Sequence, residues 1–321
     1  MANDSNLTGF ENLSGFTRDL RLIAIVGPTA AGKTALSVEL AERLNGEIVS
    51  ADSRQIYRFM DIGTAKATAE EQARVPHHLL DVVDPDQVLT LAEYQALAYR
   101  AIEDIAARGK LPLLVGGTGQ YVAAVLEGWR IPEVAPQPEL RAELAAWAEA
   151  RGSEALHGRL AELDPRAAAK IDHRNVRRVI RALEVCLATG RPISELQGKD
   201  PPPYRVTQIG VTRPRAELYE RIDRRVDAMI AAGLVDEVRA LTGRGYDWEL
   251  PAMTGLGYRQ VGQFLRGEVS LDEAIRLIKH GTRRFVQQQY NWFRVEDGGI
   301  RWVEPDAGSA EALRDQIKRD T

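Results

Sequence analysis

Gly27-Pro28-Thr29-Ala30-Ala31-Gly32-Lys33-Thr34 fits the pattern G-x-x-x-x-G-K-[ST]. The apolar run Leu22-Ile23-Ala24-Ile25-Val26 precedes it and reads as a buried parallel strand. After it, Leu36, Leu40 and Leu44 recur on one face, with Glu39, Glu42 and Arg43 more exposed, as on an amphipathic helix. Strand, glycine loop and helix in that order make a phosphate-binding loop. The glycines let backbone N–H groups curl round an anion, and the helix N-terminus adds positive dipole. Lys33 adds a full charge and Thr34 offers a hydroxyl to Mg²⁺. The loop therefore reads as a holder of a diphosphate or polyphosphate, without saying which.

The chain has 321 residues, enough for one large or two medium domains. At 44% hydrophobic and 27% charged it has the balance of a globular protein, and no apolar run reaches membrane-spanning length. No membrane partner is expected. Residues 1–20 carry Asp4, Glu11, Arg18 and Asp19 without an apolar core, so they read as a flexible tail and not as a signal peptide. A single cysteine, Cys186, excludes an internal disulfide and a multi-cysteine zinc site, and a cytoplasmic setting fits. The net charge of −4 argues weakly against a nucleic-acid partner, but that average hides local asymmetry.

Glu47-Ile48-Val49-Ser50-Ala51-Asp52-Ser53 is a second short strand ending in polar residues. Ligands of open α/β sheets bind beyond the carboxyl ends of strands, so Asp52 stands where chemistry is expected. It reads as a general base, a Mg²⁺ ligand or a helix N-cap. His77 and His78 are adjacent and would point different ways, so one packed and one hydrogen-bonded histidine is expected in place of a metal site. Thr90 to Ala107 is helical. Leu111–Val115 is another buried strand, and it runs into Gly116-Gly117-Thr118-Gly119. Thr118 reads either as a ligand contact between the loop and Asp52 or as a helix cap.

Pro132, Pro136 and Pro138 mark a break, followed by helical patterns to Thr189 and a stop at Gly190. Six Lys or Arg against one Asp lie between Arg166 and Arg181. Lys170, Arg174, Arg177, Arg178 and Arg181 share one helical face, which favours a polyanion. Val206–Val211 is a strand again, so the helical region is an insertion. The helix after Pro214 carries Arg221, Arg224 and Arg225 beside Glu220, Asp223 and Asp227 and reads as ordinary surface. Tyr258, Arg259 and Gln260 follow glycines in a mix suited to phosphates and bases. Ser270 opens a long helix with a second basic face, including Arg283 and Arg284. Trp292 and Phe293 read as core. The expected fold is α/β: a P-loop-type doubly wound parallel sheet core (21–135 and 205–321) with an inserted all-helical domain (136–204).

A kinase would leave the basic faces unexplained, and an ATP-driven motor would want an acid after Leu111–Val115. A transferase with a diphosphate ester as donor and RNA as acceptor explains the phosphate loop, the strand-end Asp52, the glycine-bounded Thr118 and the two basic helices together. GPTAAGKT, SADSRQIYRFMDIGTAKAT (50–68), VPHHLLDVVDP (75–85), LLVGGTGQY (113–121), RRVIRALEV (177–185), GLGYRQ (255–260) and TRRFVQQQYNWFR (282–294) resemble the tRNA dimethylallyltransferases. The resemblance implies dimethylallyl diphosphate as donor, and as acceptor N6 of the adenosine 3′-adjacent to the anticodon in tRNA. It makes Asp52 the general base and Thr118 a contact to the reacting nucleotide. It makes Gly27, Pro28, Thr29, Ala30, Ala31, Gly32, Lys33 and Thr34 the diphosphate or nucleotide site, with Mg²⁺ on Thr34. Contacts to the tRNA anticodon stem-loop fall on Asp52, Ser53, Arg54, Gln55, Thr118, Arg141, Arg177, Arg178, Arg181, Tyr258, Arg259, Gln260, Arg283 and Arg284. A monomer is expected. Gln287-Gln288 stands where the family usually has a basic pair, and Ala31 where Ser is common. The alternative reading is a small-molecule P-loop kinase using ATP.

Overall fold

Leu22 to Val26 are all buried, as a strand covered on both faces must be. They belong to β1 (Arg21–Val26), the fourth strand of a six-stranded parallel sheet. The computed structural model describes residues 20–319, so the expected tail at residues 1–19 lies outside the described residues. Leu20, assigned to that tail, is buried, and its carbonyl accepts the Arg205 N–H at 2.8 Å.

The chain divides into two units: one runs up to Leu126 and resumes at Pro202, the other is Glu127–Pro201. In the first, β1 is followed by α1 (Lys33–Leu44), β2 (Gly46–Ser50), α2 (Ala69–Arg74), β3 (His77–His78), α3 (Leu91–Ala107), β4 (Leu111–Val115) and α4 (Gly119–Leu126). The second holds β5 (Trp129–Arg130), α5 (Pro138–Arg151), α6 (Ser153–Leu163), α7 (Pro165–Ala168), α8 (Val176–Thr189), α9 (Ile193–Leu196) and β6 (Gly198–Lys199). The first unit resumes with β7 (Arg205–Val211), α10 (Arg215–Ala231), α11 (Leu234–Gly243), α12 (Tyr258–Leu265), α13 (Leu271–Tyr290), β8 (Ile300–Val303) and α14 (Ser309–Arg319).

Strand order is β3-β2-β4-β1-β7-β8, every pair parallel, so the sheet grows both ways from β1. Thr90 closes a capping box on α3, Ser270 accepts the Glu273 N–H at the start of α13, and Gly190 ends α8 in the left-handed region. The inserted unit begins at Glu127, earlier than the proline cluster suggests. Trp129 and Arg130 pair antiparallel with Lys199 and Gly198, which joins its incoming and outgoing chain within the unit. Its core is Leu144, Leu156, Leu160, Val179, Leu183 and Val185 with their neighbours.

Glu47 is a carboxylate inside a buried strand, its side chain 2% exposed. Arg108 (2.5 and 2.7 Å), Lys110 (2.7 Å) and His78 Nε2 (2.7 Å) surround it. The Arg108 hydrogen bonds, against the cost of desolvation and helped by Lys110 and His78, hold its pKa well below the usual carboxylate range. A carboxylate depressed in the folded state stabilises above its unfolded pKa of about 4.3 and loses that contribution as pH falls below it. Glu47→Gln should therefore lower the urea midpoint between pH 6 and 8, roughly where Glu is ionised in both states, with the gap to wild type closing below about pH 4. A gap unchanged by acid would contradict this.

Candidate active site

Residues 27–32 join β1 to α1. Gly27 has φ +131°, and a Cβ there would sit 2.2 Å from the Val211 carbonyl oxygen, so only glycine passes beside the end of β7. Gly32 is the left-handed N-cap of α1 and makes no side-chain cap, which leaves the first-turn N–H groups open to an anion. Cations engage three of the loop's carbonyls and one hydroxyl. Lys33 Nζ donates to the Pro28 carbonyl at 2.8 Å, Arg221 Nε to that of Ala30 at 2.8 Å, and Arg213 Nε to that of Ala31 at 3.1 Å. Arg225 Nη1 donates to Thr29 Oγ1 at 3.2 Å.

Four cations thus meet at one loop. Burial, then the charge of Arg225, brings the Lys33 pKa down to about 8, with Asp52 opposing. Burial also lowers the pKa of Arg225, again opposed by Asp52. Cations that press on each other in low dielectric favour an anion beside them. Arg213, Arg221 and Arg225 are functional candidates that the sequence reading missed. It assigned the arginines of α10 to ordinary surface because acids alternate with them. The signal was the four-residue spacing of Arg221 and Arg225, which puts both on one helical face.

Asp52 lies just past the end of β2. Its Oδ1 accepts the N–H groups of Arg54 (2.8 Å) and Gln55 (3.4 Å), closing a turn. No helix starts there, so the cap reading falls. Among the described residues Oδ2 has no hydrogen-bond donor. Thr118 follows β4, and its N–H donates to the Ala51 carbonyl at 3.2 Å. Its hydroxyl accepts the Ser53 N–H at 3.0 Å and donates to Ser53 Oγ at 3.3 Å. Thr118 therefore ties two strand-end loops together and does not cap α4 with its side chain. Beneath them Tyr94 donates its hydroxyl to the Ser50 carbonyl at 3.0 Å and stacks on Tyr121 with centroids 3.7 Å apart.

Other expected contacts are engaged inside the protein. Gln55 Nε2 donates to the Thr64 and Ala65 carbonyls, and Arg54 Nη1 to that of Pro251. Tyr258 is buried and donates to Glu237 at 2.6 Å, and Gln260 is buried and accepts the Gly257 N–H. Of that trio only Arg259 is exposed. Glu237 also accepts the N–H groups of Asp61, Ile62 and Gly63, which holds the 61–66 loop. His77 and His78 are both hydrogen-bonded, to the Val75 carbonyl and to Glu47, and neither is fully buried. Among the described residues no three His, Cys, Asp or Glu come together as a metal site.

The two basic faces shrink once folded. Helix α8 starts at Val176, so Lys170 and Arg174 lie before it, and Arg174 pairs with Asp172 at 2.5 Å. Glu184 is fully buried and accepts from Arg141 (2.7 and 2.8 Å), Arg181 (2.5 Å) and the Gln137 N–H (2.7 Å). Arg141 and Arg181 are thereby half-buried and paired with Glu184, while Arg177 and Arg178 stay exposed. On α13, Arg276 pairs with Glu273, Lys279 with Asp227 and Arg283 with Asp223, which leaves Arg284 exposed. Phe293 is core, whereas Trp292 is 44% exposed and lies over Gly119.

Comparison with known proteins bears on this geometry. The family model described as IPP transferase matches residues 55–296. A tRNA dimethylallyltransferase of Roseiflexus sp. is 61% identical over 273 residues, 85% of this chain and 90% of that one. A crystal structure of the tRNA isopentenylpyrophosphate transferase of Bacillus halodurans has 44% identity and a TM-score of 0.69, covering 93% of this chain and 96% of that one. A eukaryotic dimethylallyltransferase acting on tRNA has 26% identity and a TM-score of 0.77, with coverage of 94% and 78%. The small-molecule kinase reading gains nothing from these matches. With the family model spanning most of the sequence and a relative at that identity over most of both chains, the chain belongs to the tRNA dimethylallyltransferase family.

Proposed function

We propose that the chain moves the dimethylallyl group of dimethylallyl diphosphate to N6 of the adenosine 3′-adjacent to the anticodon in tRNA, releasing diphosphate. The observation that carries the reading is Asp52: one carboxylate oxygen pinned by two backbone N–H groups, the other open, beside a loop ringed by cations. The N6 lone pair forms the bond to the allylic carbon, and the carbon–oxygen bond breaks with its electron pair going to diphosphate. Asp52 Oδ2 takes the proton that N6 gives up. The α1 N-terminus, Lys33 and Arg225 meet the charge that grows on the leaving group. The adenine leaves its stack to reach a buried carbon. Thr118, held by Ser53, lines the acceptor side.

Mg²⁺ fits this site. The Thr34 hydroxyl has no hydrogen-bond partner among the described residues, and Mg²⁺ commonly takes one or two protein oxygens with the rest from phosphate and water. Thr34 would hold it, and the ion would add positive charge at the diphosphate. In the inserted unit Arg177 and Arg178 are assigned to tRNA phosphates. A cytoplasmic setting and a monomeric state belong to the same proposal. Among the described residues no helix is long and apolar enough to cross a membrane.

Incubation with bulk tRNA and donor, followed by digestion, should yield an adenosine heavier by one dimethylallyl group on mass spectrometry. Asp52→Asn keeps an oxygen for the turn, so it should bind tRNA nearly normally and lose about 10²- to 10⁴-fold in turnover. Unmodified nucleosides with wild type, or near-full turnover in the variant, would refute the assignment. Replacing Arg177 and Arg178 with Ala should weaken tRNA binding and reduce its dependence on salt, and an unchanged dissociation constant would remove them from the interface.

Lysine NMR should place the Lys33 titration near pH 8 in the free protein. Added diphosphate should move it upward, because a bound anion favours the charged amine. Affinity for diphosphate should accordingly fall as pH rises through the free value. Arg225→Ala should weaken diphosphate by about 10- to 100-fold, the loss of a charged hydrogen-bonding partner. An unshifted Lys33 or unchanged binding would contradict the cradle.

A further inference from the structure

Gln287, Gln288 and Gln289 stand in a row near the end of α13, and only Gln289 is buried, at 4% exposure. A buried primary amide has to place both its carbonyl and its N–H groups. Gln289 Oε1 accepts the Thr29 N–H at 2.8 Å, and Nε2 donates to the Gly117 carbonyl at 2.9 Å. Thr29 is the third residue of the phosphate loop, and Gly117 directly precedes Thr118. One side chain therefore spans the loop assigned to the leaving diphosphate and the turn that carries the acceptor-side threonine. The fit at Gly117 is close: a Cβ there would lie 2.3 Å from Nε2.

We infer that Gln289 is a positioning residue that sets the distance between the diphosphate and the acceptor base while touching neither. The inference rests on the prenyl-transfer reading. Each of the two loops has other support. Arg213, Arg221 and Arg225 hold the phosphate loop, and Ser53 holds Thr118. Loss of the amide therefore leaves both binding surfaces in place and releases only their spacing. A displacement requires its reacting atoms at about 3–3.5 Å, and an error of about 1 Å costs on the order of 100-fold in rate. Gln289 also occupies the Thr29 N–H, so its removal frees that donor.

Gln289→Met keeps the length and loses both hydrogen bonds. Gln289→Asn keeps the amide but is one methylene too short to reach both loops. Each is compared with wild type in the full chain by single-turnover transfer at saturating donor and tRNA, and by titration with inorganic diphosphate and Mg²⁺. The rate at saturation should fall by about tenfold or more in both, with diphosphate affinity held or tightened. A rate within about threefold of wild type, or a fall matched by an equal loss of diphosphate affinity, would overturn the inference and leave ordinary loop support. If either variant fails to fold, the other decides. If wild type itself transfers no prenyl group, the reaction assignment fails, and that outcome is distinct from an active wild type with unaffected variants.

Discussion

A diphosphate leaves an allylic carbon only where its growing negative charge is met, and water is a poor place to do so selectively. In the proposed reaction that charge falls beside the 27–34 loop, where three carbonyls and one hydroxyl are held by cations. Arg213, Arg221 and Lys33 take carbonyl oxygens of the loop, and Arg225 takes a hydroxyl. The uncapped first turn of α1 is what remains for an anion. The six-stranded sheet brings these parts together. β1 carries the loop, β7 leads into Arg213 and α10, and β4 and β2 end in the Thr118 and Asp52 loops.

Polar side chains also brace the loop that follows Asp52 in the chain. Glu237 fills a nest of three N–H groups under the 61–66 loop, and Lys66 pairs with Asp61 and Asp81 at 2.5 and 2.7 Å from within it. These contacts stabilise irregular backbone that no ladder supports. Motif residues such as Lys66, Gln55 and Tyr258 make hydrogen bonds inside the protein, and the proposed reaction falls to Asp52, Thr118 and Lys33. In the inserted unit Glu184 plays the comparable part by fixing Arg141 and Arg181.

Much of the fold was legible because period and punctuation are local. Leu22–Val26 and Leu111–Val115 read as strands from composition, and Thr90, Gly190 and Ser270 mark helix ends. The loop, Asp52 and Thr118 were legible as a site from motif and strand-end position. The rest depended on pairing across space. Asp223 and Asp227 sit beside arginines in sequence, but in the fold they face Arg283 and Lys279 on α13, a pairing that sequence adjacency does not show. Gln289 carries no periodic signal among three glutamines. Two-residue strands such as β5 and β6 have no pattern of their own, and α11 and α14 are short helices between glycines and turns that the hydrophobic pattern did not single out.

The central claim is that one cradle grips the leaving diphosphate and aims Asp52 at the acceptor amine. The most direct measurement is a crystal structure with an anticodon hairpin and a donor analogue whose bridging oxygen is replaced by sulfur to block transfer. The account predicts the diphosphate on the first turn of α1 against Lys33 and Arg225, with Asp52 Oδ2 at about 2.6–3.2 Å from adenosine N6. A diphosphate bound elsewhere, or an Asp52 carboxylate turned away from an adenine that does lie in the site, would contradict it.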